Sequence, residues 1–313
     1  MTAHLRRWGF AALLLAGAAQ ALAAGRPFED AEGHRLTLPE RPQRVVALSE
    51  IDLDTALALG VTPVGATDGR GQAAPPRYLE HHLPDGVQAV GALNNPNLER
   101  LLELAPDLIL TGPVKPEQLA ILNDIAPTVV SYRVDEPWQQ SMLRIARALG
   151  REAEGQAVLA RYQARVDTAR ARLAGHRGES LSIVRWNPKG PSYMFHDAFA
   201  SRVIRDIGLV RPASQRDNGT THSMALSLES LEWFDGDWLV IGTLAASGEA
   251  VDALGQARQT PAFGQLSAIA RGHFAAVDGS VWTSSGGPLA ALQVIEDTEA
   301  LLTGTDTGVA ARP

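Results

Sequence analysis

The chain contains no cysteine. That excludes disulfides, thiolate metal sites, cysteine nucleophiles and a lipid-bearing N-terminal cysteine together. Basic residues are not in excess, with 28 Lys and Arg against 35 Asp and Glu and a formal charge of -7. The electrostatic footprint of a nucleic-acid binder is therefore missing. Aromatic residues make up only 5% of the chain, so each Trp, Tyr or Phe is a small set from which a ligand site could draw. Apart from one stretch near the N-terminus there is no long apolar run, and that stretch, roughly 14 residues, falls short of the ~20 needed to span a bilayer.

Motifs of the common enzyme classes are also absent. The sequence has no G-x-S-x-G elbow, no phosphate loop, no dinucleotide-type G-x-G-x-x-G and no H-E-x-x-H. Ser284-Ser285-Gly286-Gly287 is rich in glycine but lacks the lysine of a phosphate loop. The expectation is a protein that binds without catalysing.

What is present begins with an address. Arg6 and Arg7 precede the apolar run from Phe10 to Ala19, and Ala21-Leu22-Ala23 offers an A-x-A cleavage site. Residues 1–23 are predicted to be a secretory signal peptide, with the general secretory route favoured over the twin-arginine one because Trp8-Gly9-Phe10 fits the latter motif loosely. The expected location is the periplasm.

From Arg44 onward, strand and helix alternate. Arg44 to Leu48 reads as a buried strand, Ser49 to Gly60 as a helix with Ser49 as its N-cap, and Val61 to Gly65 as a second strand. Helices at 97–104 and 117–125 and strands at 107–111 and 128–132 continue the pattern. Residues 137–149 form an amphipathic helix closed by Gly150, and 151–173 a second one about 35 Å long. A helix of that reach can join two lobes. After the turn-like 175–180, strand and helix patterns resume at 181–186, 193–196, 198–207, 228–233, 238–243 and 273–277. The predicted organisation is a first α/β lobe over 24–136, a helical connection over 137–175, a second α/β lobe over 176–303 and a loose tail over 304–313.

A weak repeat links the lobes: Asn97-Leu98-Glu99-Arg100-Leu101 precedes Asp107-Leu108-Ile109 as Ser227-Leu228-Glu229-Ser230-Leu231 precedes Asp237-Trp238-Leu239. Asn97 and Ser227 are good N-caps, which puts Glu99 and Glu229 in a first helical turn, where the helix dipole favours an acid. Complementing a helix end is one reading of these two residues.

The arrangement resembles the periplasmic substrate-binding proteins of bacterial iron-siderophore uptake, a family shared with haem and cobalamin binders. The resemblance rests on Arg44-Val45-Val46-Ala47-Leu48, Leu59-Gly60-Val61, Pro63-Val64-Gly65, Val90-Gly91, Pro96-Asn97-Leu98-Glu99, Pro106-Asp107-Leu108-Ile109, Ile207-Gly208-Leu209 and Trp282. It implies two α/β lobes with mostly parallel sheets, joined by one long rigid helix around a ligand cleft. It implies a monomeric receptor that takes a ferric siderophore to an inner-membrane ABC permease, the iron staying inside the chelate and no cofactor being held by the protein. Glu99 and Glu229 match the positions that dock on permease arginines, and Trp282 a position that often packs on ligand.

A chelate of this kind calls for arginine and aromatic faces and for no metal ligands. Arg70 in Thr67-Asp68-Gly69-Arg70-Gly71, the pair Arg185-Trp186 and Trp282 are the first candidates. Tyr193, His222 and Arg133 are weaker ones. Hydroxamate-binding members commonly carry an arginine where this chain has Ala92-Leu93-Asn94-Asn95, which leaves citrate-type, catecholate, mixed and peptidic chelates open. Haem would require an axial ligand from Tyr193, His196 or His222, cobalamin an aromatic cleft without arginine clamps, and a bare metal ion more than the adjacent His81-His82.

Overall fold

The computed structural model describes residues 25–216 and 219–304. The predicted signal peptide at 1–23 and residues 305–313 of the predicted tail lie outside the described residues. A hairpin of β1 (Arg26–Glu29) and β2 (Arg35–Leu38) opens the fold. It is held to the first lobe by the buried Phe28, by Arg26 donating to the Ala148 carbonyl at 2.7 Å, and by Asp30 accepting the Val130 amide at 3.2 Å.

The first lobe is built on a parallel sheet of β3 (Val45–Ala47), β4 (Gly65–Ala66), β5 (Gln88–Ala89), β8 (Leu108–Thr111) and β9 (Thr128–Val130), in the order β5-β4-β3-β8-β9. Strands β3, β8 and β9 are buried along their whole length. That is why they read as unbroken apolar runs, as expected of a sheet covered on both faces. A small ladder of β6 (Gly91–Ala92) and β7 (Asn95–Pro96) sits beside it, and α1 (Glu50–Ala58), α2 (Leu98–Leu104) and α3 (Pro116–Ile125) supply the crossovers.

Two helices follow, α4 (Trp138–Ala148) and α5 (Glu152–Arg172), within a residue or two of the ranges read from periodicity. Gly150 adopts φ 64° between them, the left-handed conformation that suits glycine at a helix end. The second lobe has the order β11-β10-β12-β13, with β10 (Leu181–Asn187), β12 (Trp238–Thr243) and β13 (Phe274–Asp278) parallel and β11 (Gly190–Tyr193) antiparallel at one edge. Its helices are α6 (Phe199–Asp206), α7 (Glu249–Ala257), the one-turn α8 (Pro261–Gly264), α9 (Ser267–Ala270) and α10 (Gly279–Trp282), and the long α11 (Pro288–Thr303).

The repeat has a structural meaning in its aspartates. Asp107 accepts the amides of Gln43 and Arg44 at 2.7 and 2.9 Å, just ahead of β3, and Asp237 accepts the amide and hydroxyl of Ser180, both at 2.8 Å, just ahead of β10. Each stands before one parallel strand and fastens the start of its neighbour. The helical halves differ: Asn97 caps an α-helix, whereas Ser227 opens a 3-10 helix over Leu228–Phe234 with a kink at Ser230. The apolar residues Leu228, Leu231 and Phe234 recur every third position, the 3-10 period, and the last two are buried.

The linking helix does not join the lobes alone. α5 lies along α4 and α11, with Arg165 bridging to Glu299 at 2.6 Å and Arg172 to the same carboxylate at 3.2 Å. α11, which the chain order assigns to the second lobe, also packs on α1 of the first. There Asp54 accepts the amides of Gly287, Leu289 and Ala290 at 3.2, 2.8 and 2.9 Å and the Tyr78 hydroxyl at 3.1 Å. Gly287 permits this: a Cβ there would stand 2.6 Å from the Asp54 carboxylate. One apolar core runs from Val45 and Leu110 through Ile145 and Val166 to Ile183, Val203 and Val294, so the two lobes share one core besides the smaller clusters each keeps to itself.

Candidate functional site

In open α/β sheets ligands are met at the carboxyl ends of the strands, and the loops leaving β3, β4, β9 and the second-lobe strands converge there. Two adjoining cavities, of about 510 and 250 Å³, share Ile51, Arg70, Tyr132 and Ser285. The larger is walled by the first lobe, including Ser49, Glu50, Thr67 to Gln72 and Ala92 to Asn94. The smaller reaches the second lobe through Asp197, Phe199, Arg202, Thr220, Thr221 and Gly286. Trp138 lies against the same space.

The cleft lining carries both signs, Arg70, Arg133 and Arg202 with Glu50, Asp68, Glu136 and Asp197, and two of its guanidiniums keep uncommitted nitrogens. The Arg70 side chain is exposed and makes no hydrogen bond or ion pair in the described structure, while its backbone amide is held by Glu50 at 2.8 Å. Arg202, on the first turn of α6, donates Nε to the Asp197 carbonyl at 2.8 Å, which leaves its terminal nitrogens free. Arg133 also lines the cleft but is engaged with Asp135 at 3.0 Å.

At the floor of the cleft α1 carries three buried carboxyls, Glu50 in the cavity wall and Asp52 and Asp54 further in. Asp52 accepts from Ser49 and Ser131, and burial pushes it up to about 7. Asp54 on the α11 amides is pushed up to about 6, again chiefly by burial. Glu50 accepts from the Arg70 amide and from the Ser284 hydroxyl, and burial raises it from the ordinary carboxylate range despite both bonds.

Of the residues read from the sequence, the structure brings Arg70 and Arg133 to the cleft. Arg185 and Trp186 do not form a pair there. Their strand continues to Asn187 and turns tightly into β11, so Arg185 pairs with Ser192 and Trp186 with Pro191 inside the ladder. Successive side chains on a strand point to opposite faces. Trp186 accordingly packs edge-on against Phe263, at 6.5 Å between ring centroids, in the second lobe's core. Arg185 is only 6% exposed and donates to the hydroxyl and carbonyl of Thr283; burial lowers its pKa to about 10, with Arg70 adding to the effect and Glu50 opposing it. It stands behind the cleft floor.

Trp282 is likewise a core residue, 1% exposed, with Nε1 donating to Asp297 on α11 at 2.8 Å. Tyr193 is buried against Phe195 and Phe234. His222 is half-buried, its Nδ1 on the Ser223 carbonyl at 2.8 Å; its neighbours Thr220 and Thr221 line the cleft and it does not. None of the three side chains considered for haem is among the cleft-lining residues. The tyrosine that does line it, Tyr132, is held protonated by burial and by the nearby Asp52. His81 and His82 are exposed on a 3-10 helix, Arg77–His82, and no group of three or more His, Asp or Glu arranged to hold a metal occurs among the described residues.

Tyr132, Phe199, Arg202, Thr220, Thr221 and Ser285 were not read from the sequence. Tyr132 had a signal, as the residue ending a predicted strand. Arg202 had none, because its relevance depends on a contact across the lobes.

Glu99 and Glu229 both lie at the second helical position behind a capping residue, and both are exposed without an ion pair. Exposed apolar side chains accompany them: Leu98 and Leu102 on α2, and Leu228 and Trp233 on the 3-10 helix.

Two lobes joined through a common core, with a cleft lined by arginines and acids at their facing strand ends, define a substrate-binding protein of the long-helix type. The chain belongs to the periplasmic binding protein family, whose model matches residues 45–281. Among its relatives is the probable siderophore-binding lipoprotein YfiY of Bacillus subtilis, 30% identical over 88% of this chain and 86% of that protein. The achromobactin-binding periplasmic protein of Dickeya dadantii is 30% identical over 86% of this chain and 88% of its own length. Among solved structures, Staphylococcus aureus SirA complexed with staphyloferrin B aligns with a TM-score of 0.77 and 25% identity, over 89% of this chain and 98% of that one. The family and these relatives are binding proteins that work outside the cytoplasm.

Proposed function

We propose that this protein is a periplasmic receptor for a ferric siderophore and hands it to the permease of an ABC transporter for iron uptake, without catalysis. The observation that carries the reading is the placement of Arg70 and Arg202, from opposite lobes, with uncommitted guanidinium nitrogens around one cavity. Guanidinium forks suit carboxylate and other oxyanion groups. Tyr132 and Phe199 add flat faces for packing, and Thr220, Thr221 and Ser285 add hydroxyls. The protein offers the iron no ligand of its own in this reading, so the metal stays within an anionic chelate.

Closure of the lobes is small, because α5, α11 and the Asp54 contacts already fix them. A preformed cleft lowers the ordering cost of binding. Glu99 and Glu229 with their apolar neighbours form the docking face, two like epitopes for basic residues of the permease. Export uses a cleaved signal peptide at residues 1–23, and the protein acts as a monomer.

The test is a fluorescence titration of the exported protein with ferric citrate, ferric catecholates, ferric hydroxamates, haem and cobalamin. Trp138, at the cleft, is the expected reporter. Saturable quenching by a ferric chelate and not by its iron-free form is the expected result; saturation by haem or cobalamin alone would overturn it.

A further inference from the structure

Glu50 has no role in the reading above, yet it occupies the point where the two lobes meet under the cleft. It is 7% exposed, lines the larger cavity, and its two carboxyl oxygens are used on different lobes. Oε1 accepts the backbone amide of Arg70 at 2.8 Å, and Oε2 accepts the hydroxyl of Ser284, next to Ser285 where the two cavities join. The flanking amides of the loop are tied within the first lobe, Asp68 to the Gly91 carbonyl, Gly69 to Ala74 and Gln72 to Gly69, while the Arg70 amide is held by Glu50 and the Arg70 side chain is unengaged. We propose that Glu50 is a positioning residue: its carboxyl bridges the Arg70 loop to the second lobe, sets where the Arg70 guanidinium is presented, and takes up a proton when an anionic ligand enters.

The proton follows from what surrounds the carboxyl. Arg70 comes from the loop after β4, Arg185 from β10, Ser284 from the loop between α10 and α11, Tyr132 from the end of β9, and Tyr78 from the 3-10 helix, with Asp52 and Asp54 on Glu50's own helix. Burial, the largest influence on this carboxyl, favours its protonated form, and the positive charges of Arg70 and Arg185 oppose it by favouring the carboxylate. An anion that engages Arg70 withdraws part of that support and adds a like charge nearby. Both changes favour the protonated form. By linkage, a site that gains a proton on binding holds its ligand more tightly as pH falls.

This inference rests on the reading of the cleft as an anion site, and the experiment separates the two. In the ligand-free protein, amide hydrogen exchange across residues 67–72 reads the bridge alone. E50A should speed exchange at the Arg70 amide about tenfold or more, and E50Q, which keeps an acceptor oxygen, should restore protection. Unchanged exchange in E50A would overturn the bridge. Ferric citrate is then titrated by calorimetry in buffers of different ionisation heat over roughly pH 5.5 to 7.5. The wild type should take up protons and bind more tightly at the acid end, E50Q should show a flat profile, and E50A should bind about tenfold more weakly. Equal proton uptake by the wild type and E50Q would overturn the coupling. Failure of ferric citrate and every other chelate to bind the wild type would overturn the receptor reading and the coupling, while the exchange result would still decide the bridge.

Discussion

Replacing Asp54 with alanine tests the seam between the lobes. Its carboxylate is the acceptor for the amides of Gly287, Leu289 and Ala290, the opening turn of α11, and for the Tyr78 hydroxyl. The first amides of a helix have no partner inside it, and here those of Gly287 and Ala290 are buried and that of Leu289 half-buried, so water cannot fully replace the lost acceptor without entry into the seam. Each orphaned buried donor costs about 1–3 kcal/mol. Removing one partner of a buried charged arrangement costs about 3–5 kcal/mol in all, because the contributions are not additive. For a chain of this size that is a fall in the unfolding midpoint on the order of 10 °C. The same change should loosen the cleft, since α1 also carries Glu50. Urea and thermal unfolding of the wild type and D54A measure it. A loss below about 0.5 kcal/mol, the range of ordinary surface substitutions, would refute the assignment of the seam to this carboxylate.

The acids of the protein pull its pH dependence in two directions. Asp52 and Asp54 have pKa values raised to about 7 and about 6, so the folded state holds their protons more tightly than the unfolded one, and the stability they confer is complete below the unfolded value and lost as pH rises through 6 to 7. Glu136, Glu299 and Asp237 are lowered, Glu136 by its Arg144 pair against burial, Glu299 by Arg165 and Asp237 by Ser180; their contribution is lost as pH falls below the ordinary carboxylate range. Stability should therefore peak near about pH 5, with D52N flattening the alkaline side; a peak in the wild type above pH 8 would contradict this. Trp282→Phe should cost about 1–3 kcal/mol through the lost bond to Asp297 and leave chelate affinity unchanged, whereas an affinity loss in a folded variant would return Trp282 to the cleft. Glu99→Ala and Glu229→Ala should lower iron uptake in cells without altering affinity in solution, and undiminished uptake in the double variant would remove them from the docking face.

The alternation of strand and helix was legible because the central strands β3, β8, β10 and β12 and the edge strand β9 are buried almost throughout and read as short apolar blocks. Helices α4 and α5 were legible from their apolar stripes, α4 closed by Gly150, whereas the long α11 was not read from the sequence. What the sequence concealed depends on contacts distant in the chain. Trp186 beside Arg185 suggested a shared site only as long as the strand was thought to end there; the ladder to Asn187 sends them to opposite faces. The burial of the three acids of α1 had no signal in the sequence, because Ser131, Ser284 and the α11 amides arrive from far along the chain to receive them. Arg202 is an ordinary helical arginine until the lobes are placed together.

The central claim, a ferric chelate gripped from both lobes, is tested most directly by the affinities of Arg70→Ala, Arg202→Ala and the double variant for the ferric chelate that the wild type binds. Each single change should weaken binding by about 1–3 kcal/mol, roughly tenfold to a hundredfold, with unfolding midpoints unchanged. The double variant should bind more weakly than either. Wild-type affinity in Arg202→Ala would mean that the second lobe does not hold the ligand through this residue, and would contradict the claim.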